Sequence, residues 1–112
     1  GLTPVVFTEG PYTTRLKYLA DVPVGKVIYH FEEVDFKEAK KTLGGIACMM
    51  GGFPNQNLMF DKPEQIKDRV KEILDIMMPG GGYMFGMGAS IAHAPRANME
   101  ALFEAVELYG KA

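Results

Sequence analysis

Glu9 and His30 are the pair whose residue types and positions could do chemistry together. Carboxylate and imidazole are both ordinary zinc ligands, binding at about 2.0 to 2.2 Å, and a catalytic zinc takes three protein ligands and keeps one position open. Each residue sits at the end of an apolar run of strand length: residues 2–7 before Glu9-Gly10-Pro11, and Val27-Ile28-Tyr29-His30-Phe31 before Glu32-Glu33. In parallel α/β folds chemistry gathers at the carboxyl ends of strands. Neighbouring strands lie about 4.8 Å apart, so side chains at matching ends can share one ion if both point the same way. Two ligands alone would hold zinc weakly, and a third would have to come from elsewhere. Taken alone, a His at a strand end reads first as a hydrogen-bonded structural residue, and a Glu before Gly-Pro as a turn former. Position and spacing, more than residue type, make the pair a candidate.

The elements that must position them form four repeated units. After the first run, residues 12–19 carry Leu16 and Leu19 at helical spacing. After the second, Glu32 and Glu33 read as a solvated turn, and Asp35 offers a helix cap before Phe36, Ala39 and Leu43. Gly44-Gly45 stops that helix, residues 46–50 form the third run, and Gly51-Gly52 opens a longer loop to Asp61. The next helix is the clearest in the chain: Pro63 and Glu64 suit a first turn, and Ile66, Val70, Ile73, Leu74 and Met77 make one apolar stripe. Pro79-Gly80-Gly81-Gly82 terminates it. Residues 83–87 form the fourth run, and Pro95 opens a last helix with Met99, Leu102, Phe103 and Val106 inward and Gly110 at its carboxyl cap.

Composition narrows the partners. The chain has 112 residues, 47% of them hydrophobic and 23% charged, which is ordinary for one folded domain. Its formal charge of −2 leaves no basic field for a phosphate backbone, so nucleic acid is excluded as an expected partner. No apolar run approaches the roughly 20 residues of a membrane helix and no leader opens the chain, so no membrane association and a cytoplasmic location are expected. The single cysteine, Cys48, can form no internal disulfide and reads as a small buried hydrophobe. His93 reads as a solvated loop residue. With Gly1 in place of an initiator Met and a strand almost at once, the chain looks like a piece of something longer.

Strands alternating with helices imply a parallel sheet built by right-handed crossovers. At about 28 residues per unit, the spacing suits an α/β (β/α)₈ TIM barrel, which takes about 250 residues for eight units. The expected fold is therefore half a barrel. A doubly wound sheet is the alternative, though no dinucleotide fingerprint follows the first run.

The stretch Gly82-Tyr83-Met84-Phe85-Gly86-Met87-Gly88-Ala89-Ser90-Ile91, then Asn98-Met99-Glu100-Ala101-Leu102 on to Tyr109-Gly110, resembles the C-terminal end of the uroporphyrinogen decarboxylase superfamily. Residues 35–44 and Lys62-Pro63-Glu64-Gln65-Ile66 fit the helices that precede it. The resemblance implies that residues 1–112 are the four C-terminal βα units of such a barrel. The decarboxylases carry Gly-His-Gly after the last strand, where this chain has Gly88-Ala89-Ser90. Zinc methyltransferases of the superfamily with His-x-Cys and Cys ligands would place them at Phe7, Glu9 and Ala89, so that thiolate site cannot form. The methyltransferases of anaerobic O-demethylase systems are similar in another way: two glutamates and a histidine, with twenty residues between the second Glu and the His. Glu9 and His30 have that separation.

The resemblance thus implies zinc held by Glu9, His30 and a third ligand outside this chain. It implies transfer of a methyl group from a small methoxylated substrate, an aryl methyl ether, to the corrinoid (cobalamin) of a partner protein. A Lewis acid at the ether oxygen would stabilise the departing phenolate, a poor leaving group. Met50, Met87 and Ser90 are the strand-end candidates for contacting substrate, and Met49, Met84 and Phe53 could floor the pocket. Two other readings stay open: a decarboxylase acting on a tetrapyrrole in heme biosynthesis, and a non-catalytic half barrel that self-associates. Half a barrel exposes one apolar sheet face and two edges, so the chain is expected to pair with the missing N-terminal half or with itself and to be inactive alone.

Overall fold

Parallel strands need a long crossover between them, and each apolar run is followed by enough helical sequence to supply one. The computed structural model describes residues 1–111. Strands β1 (Val5–Pro11), β2 (Ile28–Glu33), β3 (Cys48–Gly51) and β4 (Tyr83–Met84) form one parallel sheet in the order β1-β2-β3-β4. A 3-10 turn, Thr13–Arg15, runs into α1 (Leu16–Leu19); α2 (Phe36–Leu43) follows β2, α3 (Asn55–Phe60) and α4 (Pro63–Met77) follow β3, and α5 (Arg96–Tyr109) follows β4. Helix α1 packs on α2, α2 on α4, and α4 on α5. Consecutive strand order with helices in one series is the arrangement of part of a TIM barrel; a doubly wound sheet reverses its strand order and carries helices on both faces.

Register separates the two faces of the sheet. Val6, Tyr29, Met49 and Tyr83 align across the strands, and Phe7, His30, Met50 and Met84 align one residue further on. Because the pleat alternates, the two rows face opposite ways. Tyr29, Phe31 and Met49 join Leu43, Ile66, Val70 and Met77 in the core beneath the helices. The other row is the open face, where Phe7 is 48% and Met84 46% exposed. In an eight-stranded barrel this face would line the interior.

Local signals set most element ends. Asp35 Oδ1 accepts from the Glu38 N–H at 3.1 Å and starts α2. Pro63 opens α4, where Gln65 Oε1 accepts from the Lys62 N–H at 2.8 Å. Lys40 reaches from α2 to donate to the Met77 carbonyl at the other end of α4. The expected stripe of Ile66, Val70, Ile73, Leu74 and Met77 is buried in full. Gly110 ends α5, its N–H donating to the Val106 carbonyl.

Several boundaries differ from the sequence reading. β1 begins at Val5 and runs on to Pro11, so Glu9 lies within the strand. Pairing carries it there: after an irregularity between Thr8 and Pro11 the ladder with β2 resumes at Pro11 and Glu33, and an edge strand tolerates a proline. Glu32 and Glu33 belong to β2, so they form no solvated turn. The loop after Gly52 contains α3, which has too few residues for a visible apolar period. Helix α5 buries Asn98, Ala101, Leu102 and Ala105, while Phe103 is 67% exposed. Ala101 and Ala105 are buried, and Phe103, two residues from each, falls on the opposite side of the helix. Met49 and Phe53 belong to the core under the helices, so neither floors a pocket on the open face. Cys48 is half-buried, at the start of β3.

Candidate functional site

The site builds on Thr8. Its buried hydroxyl donates to the His30 carbonyl at 3.1 Å, fastening β1 to β2 one residue before Glu9. Thr8 is turned toward the core, Phe7 and His30 share the open face, and Glu9 is exposed within the irregular stretch of β1 that follows Thr8. Phe7 is level with His30, and Glu9 follows two residues later, inside the irregularity of the ladder between Thr8 and Pro11. Glu9 is exposed and enters no ion pair among the described residues.

His30 is half-buried and held on two sides. Its ring meets Phe7 edge-on, with centroids 5.1 Å apart and planes at 64°. Its Nε2 lies 3.0 Å from the Met87 carbonyl oxygen. The loop after β4 is brought there by backbone contacts: Phe53 pairs with Met87, the Phe53 N–H donates to Gly86, and the Gly88 N–H donates to Phe53. Gly88 packs directly against the backbone of Glu32, where a Cβ would meet the Glu32 carbonyl. Metal-ligating histidines commonly donate their second ring N–H to a backbone carbonyl. A carboxylate and an imidazole are each ordinary zinc ligands, and of the two only His30 is held in place. Among the described residues no three His, Cys, Asp or Glu side chains cluster to complete a site.

Met50 is level with His30 on the same face and half-buried. Met87 also comes to His30, but through its backbone carbonyl. Ser90 is exposed on the loop beyond, and its carbonyl accepts from Asn55 Nδ2 at 2.7 Å. His93 is exposed, as expected of a loop residue.

A cleft of about 400 Å³ opens at the strand ends, lined by Glu32, Glu33, Asn55, Gln56, Asn57 and Ala89. Its polar wall comes from α3 and β2, which the sequence reading did not connect with the site. Glu32 is half-buried and its carboxylate accepts from the Gly10 N–H, next to Glu9. The alternation Ile28, His30, Glu32 within one strand was the available signal for Glu32. Asn55 had none beyond following a proline.

The family model for uroporphyrinogen decarboxylase (URO-D) matches residues 1–109. The chain belongs to the URO-D family. Among solved structures it is similar to a methyltransferase from Methanosarcina mazei, with a TM-score of 0.74 and 25% sequence identity. The match covers 96% of this URO-D chain and 31% of that structure, so the chain spans about a third of its length. No curated protein matches the chain. URO-D membership with a methyltransferase relative places the chain in an enzyme family. Among the described residues, no helix is long and apolar enough to cross a membrane.

Proposed function

We propose that this URO-D chain is the C-terminal half of a cytoplasmic methyltransferase barrel that moves a methyl group from a small methoxylated substrate to the corrinoid of a partner protein, with zinc as Lewis acid. The observation that carries the reading is that Glu9 and His30 lie on the adjacent parallel strands β1 and β2, in the carboxyl-terminal part of β1 and midway along β2, with His30 on the open face. When bound there, zinc supplies a Lewis acid that stabilises the phenolate as the methyl group departs.

The chain's own residues bind and orient. Glu9 contributes a carboxylate and His30 an imidazole, while Phe7 and the Met87 carbonyl fix the plane of the ring. Met50 offers a polarisable apolar surface beside His30 on which an aromatic ring can rest. Met87 and Ser90 border the substrate from the loop after β4. The third zinc ligand comes from outside the chain.

A tetrapyrrole decarboxylase is the reading the family's description favours. Against it stands Ala89, which lines the cleft where the decarboxylases carry histidine. A non-catalytic, self-associating half barrel draws on the exposed Val5, Phe7 and Met84.

Zinc content of the protein that carries this chain tests the proposal. Glu9→Gln and His30→Gln are each expected to lower bound zinc at least about tenfold. Unchanged zinc in both variants removes the metal reading. Loss of zinc without loss of methyl transfer to cob(I)alamin would show that the metal is structural.

A further inference from the structure

A neutral imidazole has one N–H and one bare nitrogen, so His30 can offer a ligand only one lone pair. A carbonyl oxygen only accepts, and the 3.0 Å contact with Met87 therefore places the proton on Nε2. The Cδ2–Nε2 edge of the ring lies over Gly51: a Cβ there would stand 2.7 Å from Nε2 and 2.8 Å from the Met87 oxygen, and would collide with Cδ2. The opposite edge, Nδ1 and Cε1, faces away from Gly51. Gly51 adopts φ +76°, a left-handed conformation that suits glycine. Its carbonyl accepts from the Tyr83 hydroxyl at 2.7 Å, so the peptide beneath the ring is held from β4.

We propose that Met87, Gly51 and Tyr83 together hold His30 as its Nε2–H tautomer, so that Nδ1 is the nitrogen presented on the open face. Met87 acts by direct contact. Tyr83 is a positioning residue that acts through Gly51. Only the use of Nδ1 as a zinc ligand rests on the proposed function; the tautomer itself does not.

Nitrogen-15 NMR of histidine-labelled protein carrying this chain, in mildly alkaline buffer, tests the inference. Loss of signals in His30→Gln assigns the ring. The expected result is a protonated Nε2 whose proton exchanges slowly with water, and a shift of Nδ1 on adding zinc chloride while Nε2 keeps its proton. In Tyr83→Phe, exchange of the Nε2 proton should rise about tenfold, the scale of one lost neutral hydrogen bond, with the His93 signals unchanged. A ring protonated on Nδ1, or loss of the Nε2 proton on adding zinc, overturns the tautomer lock. Unchanged exchange in a folded Tyr83→Phe overturns the part given to Tyr83. A protected Nε2–H with no response to zinc upholds the lock and removes the metal reading, so the two failures are distinguishable.

Discussion

The Thr8 hydroxyl donates to the His30 carbonyl, 22 residues away in sequence, and both lie on strands that bear the candidate ligands. Thr8 is 2% exposed, so its hydroxyl has little access to water. Thr8→Val keeps the shape and removes the donor, and should cost about 1 to 3 kcal/mol. Thr8→Ser should cost less, because it keeps the hydroxyl and loses only a methyl group. Urea unfolding curves for the two variants check this.

Asn98 is a buried amide that satisfies the end of a neighbouring helix. Its Nδ2 donates from α5 to the carbonyls of Leu58 and Asp61, each at 2.8 Å, where α3 finishes. Asn98→Leu preserves bulk and leaves both carbonyls without this donor. A loss of about 1 to 3 kcal/mol is expected. Amide exchange should rise first in residues 55–61, the wall of the cleft.

Tyr83 gives a pH dependence. Burial pushes its phenol well above the ordinary value of 10.0. The unfolded chain ionises near pH 10 while the folded one resists, so the folded state binds more protons and stability falls as pH rises from about 10. Below that pH the contribution is constant. In Tyr83→Phe the alkaline decline should be shallower, as read from thermal unfolding midpoints across pH 8 to 11.

The open face should be adhesive. Val5, Phe7 and Met84 are 57%, 48% and 46% exposed. Residues 1–112 expressed alone should bind a hydrophobic dye and associate in solution scattering. Phe7→Lys with Met84→Lys should reduce both signals without loss of helix content by circular dichroism.

Much of this architecture was legible because strand and helix periods differ so plainly. The α4 stripe could be read residue by residue, and Asp35 and Gly110 act as the caps that their types announce. What escaped depended on contacts between distant segments. Phe103 fits an apolar helical stripe in sequence, yet α5 buries the side that carries Ala101 and Ala105 and leaves Phe103 exposed. β1 outran its apolar run because pairing with β2 carried it to Pro11. At the site, position at the end of an apolar run selected Glu9 and His30; β2 in fact runs on to Glu33, which leaves His30 midway along it, and the irregularity of β1 around Glu9 arises from pairing with β2. The contact between the His30 ring and the Met87 carbonyl spans 57 residues and leaves no trace in local sequence.

Among the described residues, β1 has a hydrogen-bonded neighbour on one side only. Local opening costs least where a strand is tied along a single margin. Glu9 therefore rides on the segment most readily lost to exchange, while His30 is clamped between two ladders. Whatever zips onto the free margin of β1 would steady the carboxylate before it touched the ion. If Glu9 holds the proposed zinc, assembly and metal affinity become one linked equilibrium, in which tightening either draws the other with it.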